Sequence, residues 1–159
     1  MSGAVATKSA GALYASRLAR VRQSMKSQSI DAALLSVGHD LPYLTGYYAM
    51  PLERLTMLVV THDSVAALVV PRLEAPRVTP FDDVFKVVPW GETENPVEIV
   101  AKHLGGAKRI AIGDQMWARF LVELMGFVSG VNFVRAVDVV GSLRMAKDAD
   151  EIAALQAAG

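Results

Sequence analysis

The chain contains no cysteine. That removes disulfides, thiolate nucleophiles, Fe–S clusters and zinc knuckles together, and it fits a reducing cytoplasm. It also lacks a charge surplus. Sixteen Lys and Arg balance sixteen Asp and Glu, and the pI is near 6.8. Without excess basic charge nothing neutralises a phosphate backbone, so no nucleic-acid partner is expected. A charge near zero gives little protection from self-association, which suits an oligomer or a surface made for another domain. Long apolar runs are missing too, although the mean hydropathy is positive at +0.31. Runs such as Val65–Val70 are strand-sized and end in proline or a polar residue, well short of the ~20 residues that span a bilayer. No membrane partner is expected. The first residues, MSGAVATKSAGA, have neither a basic start nor an apolar core. They read as a flexible tail over 1–11 and not as a secretory signal.

Signatures of chemistry are scarce as well. His39, His62 and His103 fall in separate segments with no His-x-x-x-His or His-x-x-Glu-His spacing. A metal needs several ligands converging at about 2.0–2.2 Å, so no metal site is expected; His62 reads as a turn residue and His103 as a helix-surface residue. There is no G-x-G-x-x-G and no P-loop. Within Gly126–Gly130 the serine stands one place too late for G-x-S-x-G. Asp82 and Asp83 are adjacent in an extended segment and point to opposite faces, which fits a loop or cap better than acid–base work. Trp90 and Trp117 read as packing residues. None of these patterns is a catalytic constellation.

What the chain does have is apolar content, 52% of 159 residues, enough for one self-supporting domain or one domain with a stub of another. Tyr14, Leu18, Val21 and Met25 make one stripe of a helix over Ala12–Gln28. Arg17, Arg20, Arg22 and Lys26 lie mostly off the stripe and read as a solvated face. Ile30–Ser36 is a buried strand. Asp40 caps a short helix that tolerates Pro42 early and ends at Gly46 in a left-handed conformation. Leu55–Val60 and Val65–Val70 form an antiparallel hairpin through Thr61–Ser64. Leu73–Val78 is a short helix and Val84–Val88 a strand. Asn95-Pro96-Val97-Glu98 is a helix start with Asn95 as cap and Glu98 reaching back to it. Arg109–Ile112 is a strand, Asp114 caps a helix running to Gly126, Asn132–Val134 is a short strand, and Val137–Leu143 is a turn of helix. Asp148 opens a last helix with Ile152 and Leu155 on its apolar edge. That helix either docks on this domain or begins another. Strands alternating with helices around one hairpin give an α/β fold, a mixed, mainly parallel sheet covered on both faces.

One segment concentrates functional side chains. Asp40, Tyr43, Thr45, Tyr47 and Tyr48 follow a strand within nine residues, and Glu53-Arg54 precede the next. Tyrosines and charges at strand ends are where an α/β fold meets ligands.

Tyr43-Leu44-Thr45-Gly46-Tyr47, then Glu53-Arg54 leading into Thr56–Val60, then Leu68-Val69-Val70-Pro71-Arg72-Leu73-Glu74, resemble the N-terminal domain of the creatinase/prolidase/aminopeptidase P family. Leu143-Arg144-Met145-Ala146-Lys147 through Glu151-Ile152 is similar to that family's junction with its catalytic domain. The ordered matches extend over about two-thirds of the chain. The resemblance implies a three-layer α/β/α, ribonuclease H-like domain over 12–144, with 145–159 a linker and first helix of a truncated catalytic domain. It implies an accessory domain for substrate specificity and dimerisation, inactive alone, of a cytoplasmic Xaa-Pro peptidase. The partners would be its own C-terminal catalytic domain, a second copy in a homodimer and a proline-containing peptide. Two divalent metal ions, manganese or cobalt, would be held by the catalytic domain. By position, Asp40, Tyr47 and Arg54 are the substrate-binding candidates under this resemblance, Arg54 through its fork of donors to a carboxylate or simply as a salt bridge to Glu53 or another neighbour. A creatinase-like hydrolase of a small C–N substrate and a non-catalytic protein-binding module share the same fold.

Overall fold

The computed structural model describes residues 2–145, with side chains from 10 to 144. The helix expected from Asp148 lies outside the described residues. Six strands form one sheet in the order β4-β3-β2-β1-β5-β6. They are β1 (Ala32–Leu35), β2 (Met57–Thr61), β3 (Ala66–Pro71), β4 (Phe85–Trp90), β5 (Arg109–Ile112) and β6 (Asn132–Arg135). β3–β4, β1–β5 and β5–β6 pair parallel, whereas β2 pairs antiparallel with both β1 and β3. β2 is therefore the one reversed strand. The β2–β3 hairpin is present, and the sheet is mixed and mainly parallel as expected.

Alternation along the strands builds two cores. Ala33, Leu35, Leu58, Val60, Leu68 and Val70 face one side, against α1 (Ser2–Ser27), α2 (Asp40–Thr45) and a π-helical turn at Val137–Gly141. Ala32, Leu34, Met57, Val59, Val69 and Ile110 face the other, under α3 (Pro96–His103) and α4 (Ala118–Met125). A sheet apolar on both faces must be covered twice, and these two helical layers make the α/β/α sandwich.

Three local expectations are corrected. Residues 2–11, read as a flexible tail, are the first part of α1. The segment is alanine-rich and free of proline, so nothing stops the helix. Gly11 lets it pass close to Phe81, where a Cβ would stand 3.2 Å from the ring. Asp114 does not cap α4, which starts at Ala118 with Trp117 at the N-cap. Its carboxylate is taken by the Arg135 guanidinium through bonds of 3.0 and 2.6 Å, and this pairing holds its pKa below the usual carboxylate range. Asp40 is the first residue of α2 and not its cap, which is His39 with no side-chain bond.

Elsewhere the local chemistry follows the sequence in part. Asn95 Oδ1 accepts from Val97 N–H and Glu98 N–H at 2.9 and 3.2 Å, while Glu98 turns outward to Lys102 at 2.9 Å. Gly46 ends α2 at φ 71° and its N–H bonds Pro42 C=O. The basic face of α1 is not all solvated. Arg17 is only 7% exposed, donates to Tyr43 C=O at 2.8 Å and stacks over the Tyr43 ring at 4.1 Å. Arg22 binds the hairpin, donating to Thr61 and Ser64 C=O at 2.8 Å each.

Candidate functional site

Because β2 runs against its neighbours, its first residues share an edge with the last residues of the parallel strands. Leu35 stands opposite Leu58, Val69 opposite Met57, and Pro71 opposite Trp90. The segments after β1, before β2 and after β3 therefore meet at one end of the sheet. This is the end where open α/β sheets place ligands.

α2 delivers Tyr47 to that edge. Thr45 Oγ1 donates to Leu41 C=O at 2.7 Å and accepts from Tyr47 N–H at 3.1 Å. Together with the left-handed Gly46 this turns the chain sharply and directs Tyr47 inward, where it is buried. Its hydroxyl donates to Glu74 Oε2 at 3.4 Å. Glu74 follows β3 and also accepts from Arg77 at 2.8 Å. Burial first, and the Glu74 charge second, push the Tyr47 phenol above its ordinary pKa, against a smaller opposing pull from Arg77.

Tyr47, Glu74, Arg54 and Thr56 line one cavity of about 150 Å³, with Met50 and Leu52 at its mouth. The Arg54 guanidinium is paired with Glu92 at 2.8 Å and is 40% exposed. Glu92, not the adjacent Glu53, is its partner. Around the cavity, Tyr48 and Leu73 are 78% and 75% exposed. The arrangement offers a phenol, a carboxylate and a guanidinium inside an apolar rim. Such a set can orient a small polar group carried on an apolar body.

Asp40 lies elsewhere on the edge. It lines a second cleft, of about 140 Å³, beside Ser36, Gly38, Gln115 and Arg144. Its carboxylate accepts from Arg144 at 2.8 Å. The structure thus brings Tyr47 and Arg54 around one cavity and puts Asp40 in the other. Glu74, Arg77 and Arg144 were missed as site residues. Their available signal was position: Glu74 stands three residues past a strand end, and strand ends are where such sites form.

Among the described residues no three His, Asp or Glu side chains gather as a metal ion requires. His62 is held by a 2.7 Å bond between Nε2 and Ile30 C=O. No helix among the described residues is long and apolar enough to cross a membrane.

Comparison with known proteins agrees with this fold. The "Probable dipeptidase PepE" of Mycobacterium tuberculosis is 35% identical over 151 residues, covering 92% of this chain and 40% of its own. The "Putative dipeptidase YkvY" of Bacillus subtilis is 28% identical, again over 40% of its length. The chain thus spans about 40% of the length of these curated relatives. The solved dipeptidase PepE of Mycobacterium ulcerans superposes with a TM-score of 0.80 at 37% identity, covering 91% of this chain and 40% of that one. The creatinase/prolidase N-terminal domain of an X-Pro dipeptidase from Streptococcus pyogenes superposes at 0.69 with 27% identity, covering 80% of this chain and 98% of that one. The profile of the creatinase/prolidase N-terminal domain matches residues 17–146. A mixed six-stranded sheet with one reversed strand, its shared strand-end edge and this match place the chain in the creatinase/prolidase N-terminal domain family.

Proposed function

We propose that this chain is the accessory domain of a longer Xaa-Pro peptidase, and that it shapes substrate selection and dimerisation while the chemistry is done elsewhere. The observation that carries the reading is the strand-end edge. Tyr47, Arg54 and Glu74 surround one cavity there, and the exposed Met50, Leu52 and Leu73 line it with them. Apolar groups this exposed mark a surface made for another body. The relatives named above as dipeptidases extend well beyond the matched region, which supports a C-terminal catalytic domain as that body, with a second copy completing a homodimer. The pair of divalent metal ions, manganese or cobalt, belongs to the catalytic domain in this reading, since the described residues do not gather ligands for one. A proline-containing peptide is the substrate and the cytoplasm the location.

In this reading Tyr47 and Arg54 act on the substrate end by orientation. The neutral phenol donates a hydrogen bond, and the guanidinium, released from Glu92, pairs with a carboxylate in a fork. Asp40, already held by Arg144, is not assigned a substrate contact. The test is kinetic, on the full-length parent with an Xaa-Pro dipeptide. Arg54→Ala is expected to raise KM about ten-fold with kcat little changed, the signature of lost binding common to ground and transition states. An unchanged KM removes Arg54 from the site. The 159-residue chain with added manganese or cobalt is expected to show no turnover, and clear turnover by the pure chain overturns the accessory role.

A further inference from the structure

The short helix α2 touches three things at once. Its first residue, Asp40, accepts from Arg144 at 2.8 Å, and both side chains are partly withdrawn from water at 21% and 37% exposure. Its middle residue, Tyr43, donates from its hydroxyl to Leu143 C=O at 3.3 Å. The same tyrosine is pinned from the other side by Arg17 on α1, through its carbonyl and its ring. Its last residue, Thr45, holds Tyr47 N–H, and Tyr47 enters the cavity with Glu74. At Gly46 the helix stops against Tyr14, where a Cβ would collide with the hydroxyl. The helix is thus braced on α1 and cannot slide freely.

We infer that Asp40 and Tyr43 are positioning residues, and that α2 is a strut fixing the direction of the chain at Leu143–Arg144 relative to the Tyr47 cavity. Leu143 and Arg144 are a hundred residues or more from their α2 partners in sequence. Only the folded arrangement brings them together, so the two contacts report the path of α5 (Ser142–Met145). The cleft of about 140 Å³ beside the pair leaves Arg144 room to swing once Asp40 releases it. While the pair holds, the backbone at Arg144 keeps a fixed angle to the cavity. The inference concerns this chain's own geometry and stands whether or not the parent is a peptidase.

Amide hydrogen exchange on the 159-residue chain tests it. Removing the charge with Asp40→Asn is expected to speed exchange at residues 142–145 roughly ten-fold, the scale of a hydrogen bond to a charged group. Exchange at Tyr47 and Tyr48 is expected to rise with it, while β1 and β5 stay protected. Tyr43→Phe, which keeps the ring under Arg17, gives a smaller rise at the same places. High salt loosens both regions in the parent chain and adds little in Asp40→Asn, a screening response that packing alone does not produce. If residues 142–145 loosen and Tyr47 does not, or if neither does, the strut is overturned. If Asp40→Asn weakens the whole sheet, Arg144→Gln breaks the same pair from the other side. The two regions must then loosen together faster than the sheet does; exchange at the global rate in both overturns the inference.

Discussion

At the edge where the parallel strands begin, polar side chains tie one element to the next. Asp31 accepts from the N–H groups of Lys108 and Arg109 at 2.8 Å each, joining β1 to β5. Arg22 clamps the β2–β3 turn to α1, and Lys108 Nζ reaches Ser129 C=O at 3.1 Å. A shallow cleft lies there too, lined by Asp31, His62 and Lys108; at the opposite edge polar groups line two smaller cavities, and Tyr48, Met50, Leu52 and Leu73 face water. Both edges end the same strands, so the strands do not cause the difference. It comes from the connecting segments. One set closes the sheet locally, and the other presents side chains outward. The contacts that clamp the strand starts and the most exposed apolar side chains, Tyr48 and Leu73, thus lie at opposite ends of the strands.

On that contrast, deleting the clamping side chains of the first edge costs stability, and deleting the exposed apolar side chains of the second does not. The largest loss is expected from Arg22→Ala, which leaves two carbonyls of the hairpin without their donor. Two bonds from a half-buried guanidinium correspond to about 2 kcal/mol, read as a lower urea midpoint with an unchanged slope. Arg22→Lys restores less than half of this, because an ammonium cannot span both carbonyls as the fork does.

Asp31→Asn comes next, at about 1 kcal/mol near neutral pH, a value discounted for solvent exposure. The backbone N–H groups of Arg109 and then Lys108 hold the Asp31 pKa below its usual value, with His62 adding a smaller pull the same way. A depressed folded pKa means the contribution is present above the unfolded value of about 3.9 and is lost as pH falls through the folded one. The stability gap between the parent chain and Asp31→Asn should therefore close in acid. A gap that stays constant to low pH would show that the bonds do not depend on the charge.

Much of the fold was legible because it rests on period and punctuation. The stripe Leu18, Val21 and Met25, the paired runs either side of Thr61–Ser64, Asn95 as a cap and Gly46 as a left-handed stop all come from local chemistry. Two of the errors share one cause. Asp114 looks like a cap until β6 brings Arg135 to it, and Arg17 looks solvated until Tyr43 covers it. In each case a partner distant in sequence overrides a local preference. The site was half legible for the same reason. Tyr47 and Arg54 could be chosen by their place at strand ends, but Glu74 and Arg144 become site residues only through contacts made by the fold.

At the second edge Leu73→Ser is expected to change stability by less than about 0.5 kcal/mol, since Leu73 is 75% exposed. Its effect should appear as weaker self-association in sedimentation at high concentration. A loss of stability above about 1 kcal/mol would mean that Leu73 supports the fold, and the contrast between the edges would fail at that residue.

The smallest effect lies inside the second edge and sharpens the comparison most. Among the described residues there, Tyr47 is the buried group whose ionisation is displaced upward, mainly by burial and then by Glu74. A raised folded pKa means that its contribution to stability is complete below the unfolded value of about 10 and is lost as pH rises through the folded one. The difference in near-ultraviolet absorbance between the parent chain and Tyr47→Phe isolates this phenolate. It should form above the ordinary tyrosine range. Glu74→Gln should lower the transition without returning it to the ordinary value, because burial is the larger cause. Arg77→Ala should move it further up. If Glu74→Gln leaves the transition where it was, the 3.4 Å contact carries no electrostatic coupling. If it moves as expected, the second edge encloses an electrostatically coupled phenol and carboxylate, held between the segment after α2 and the segment after β3.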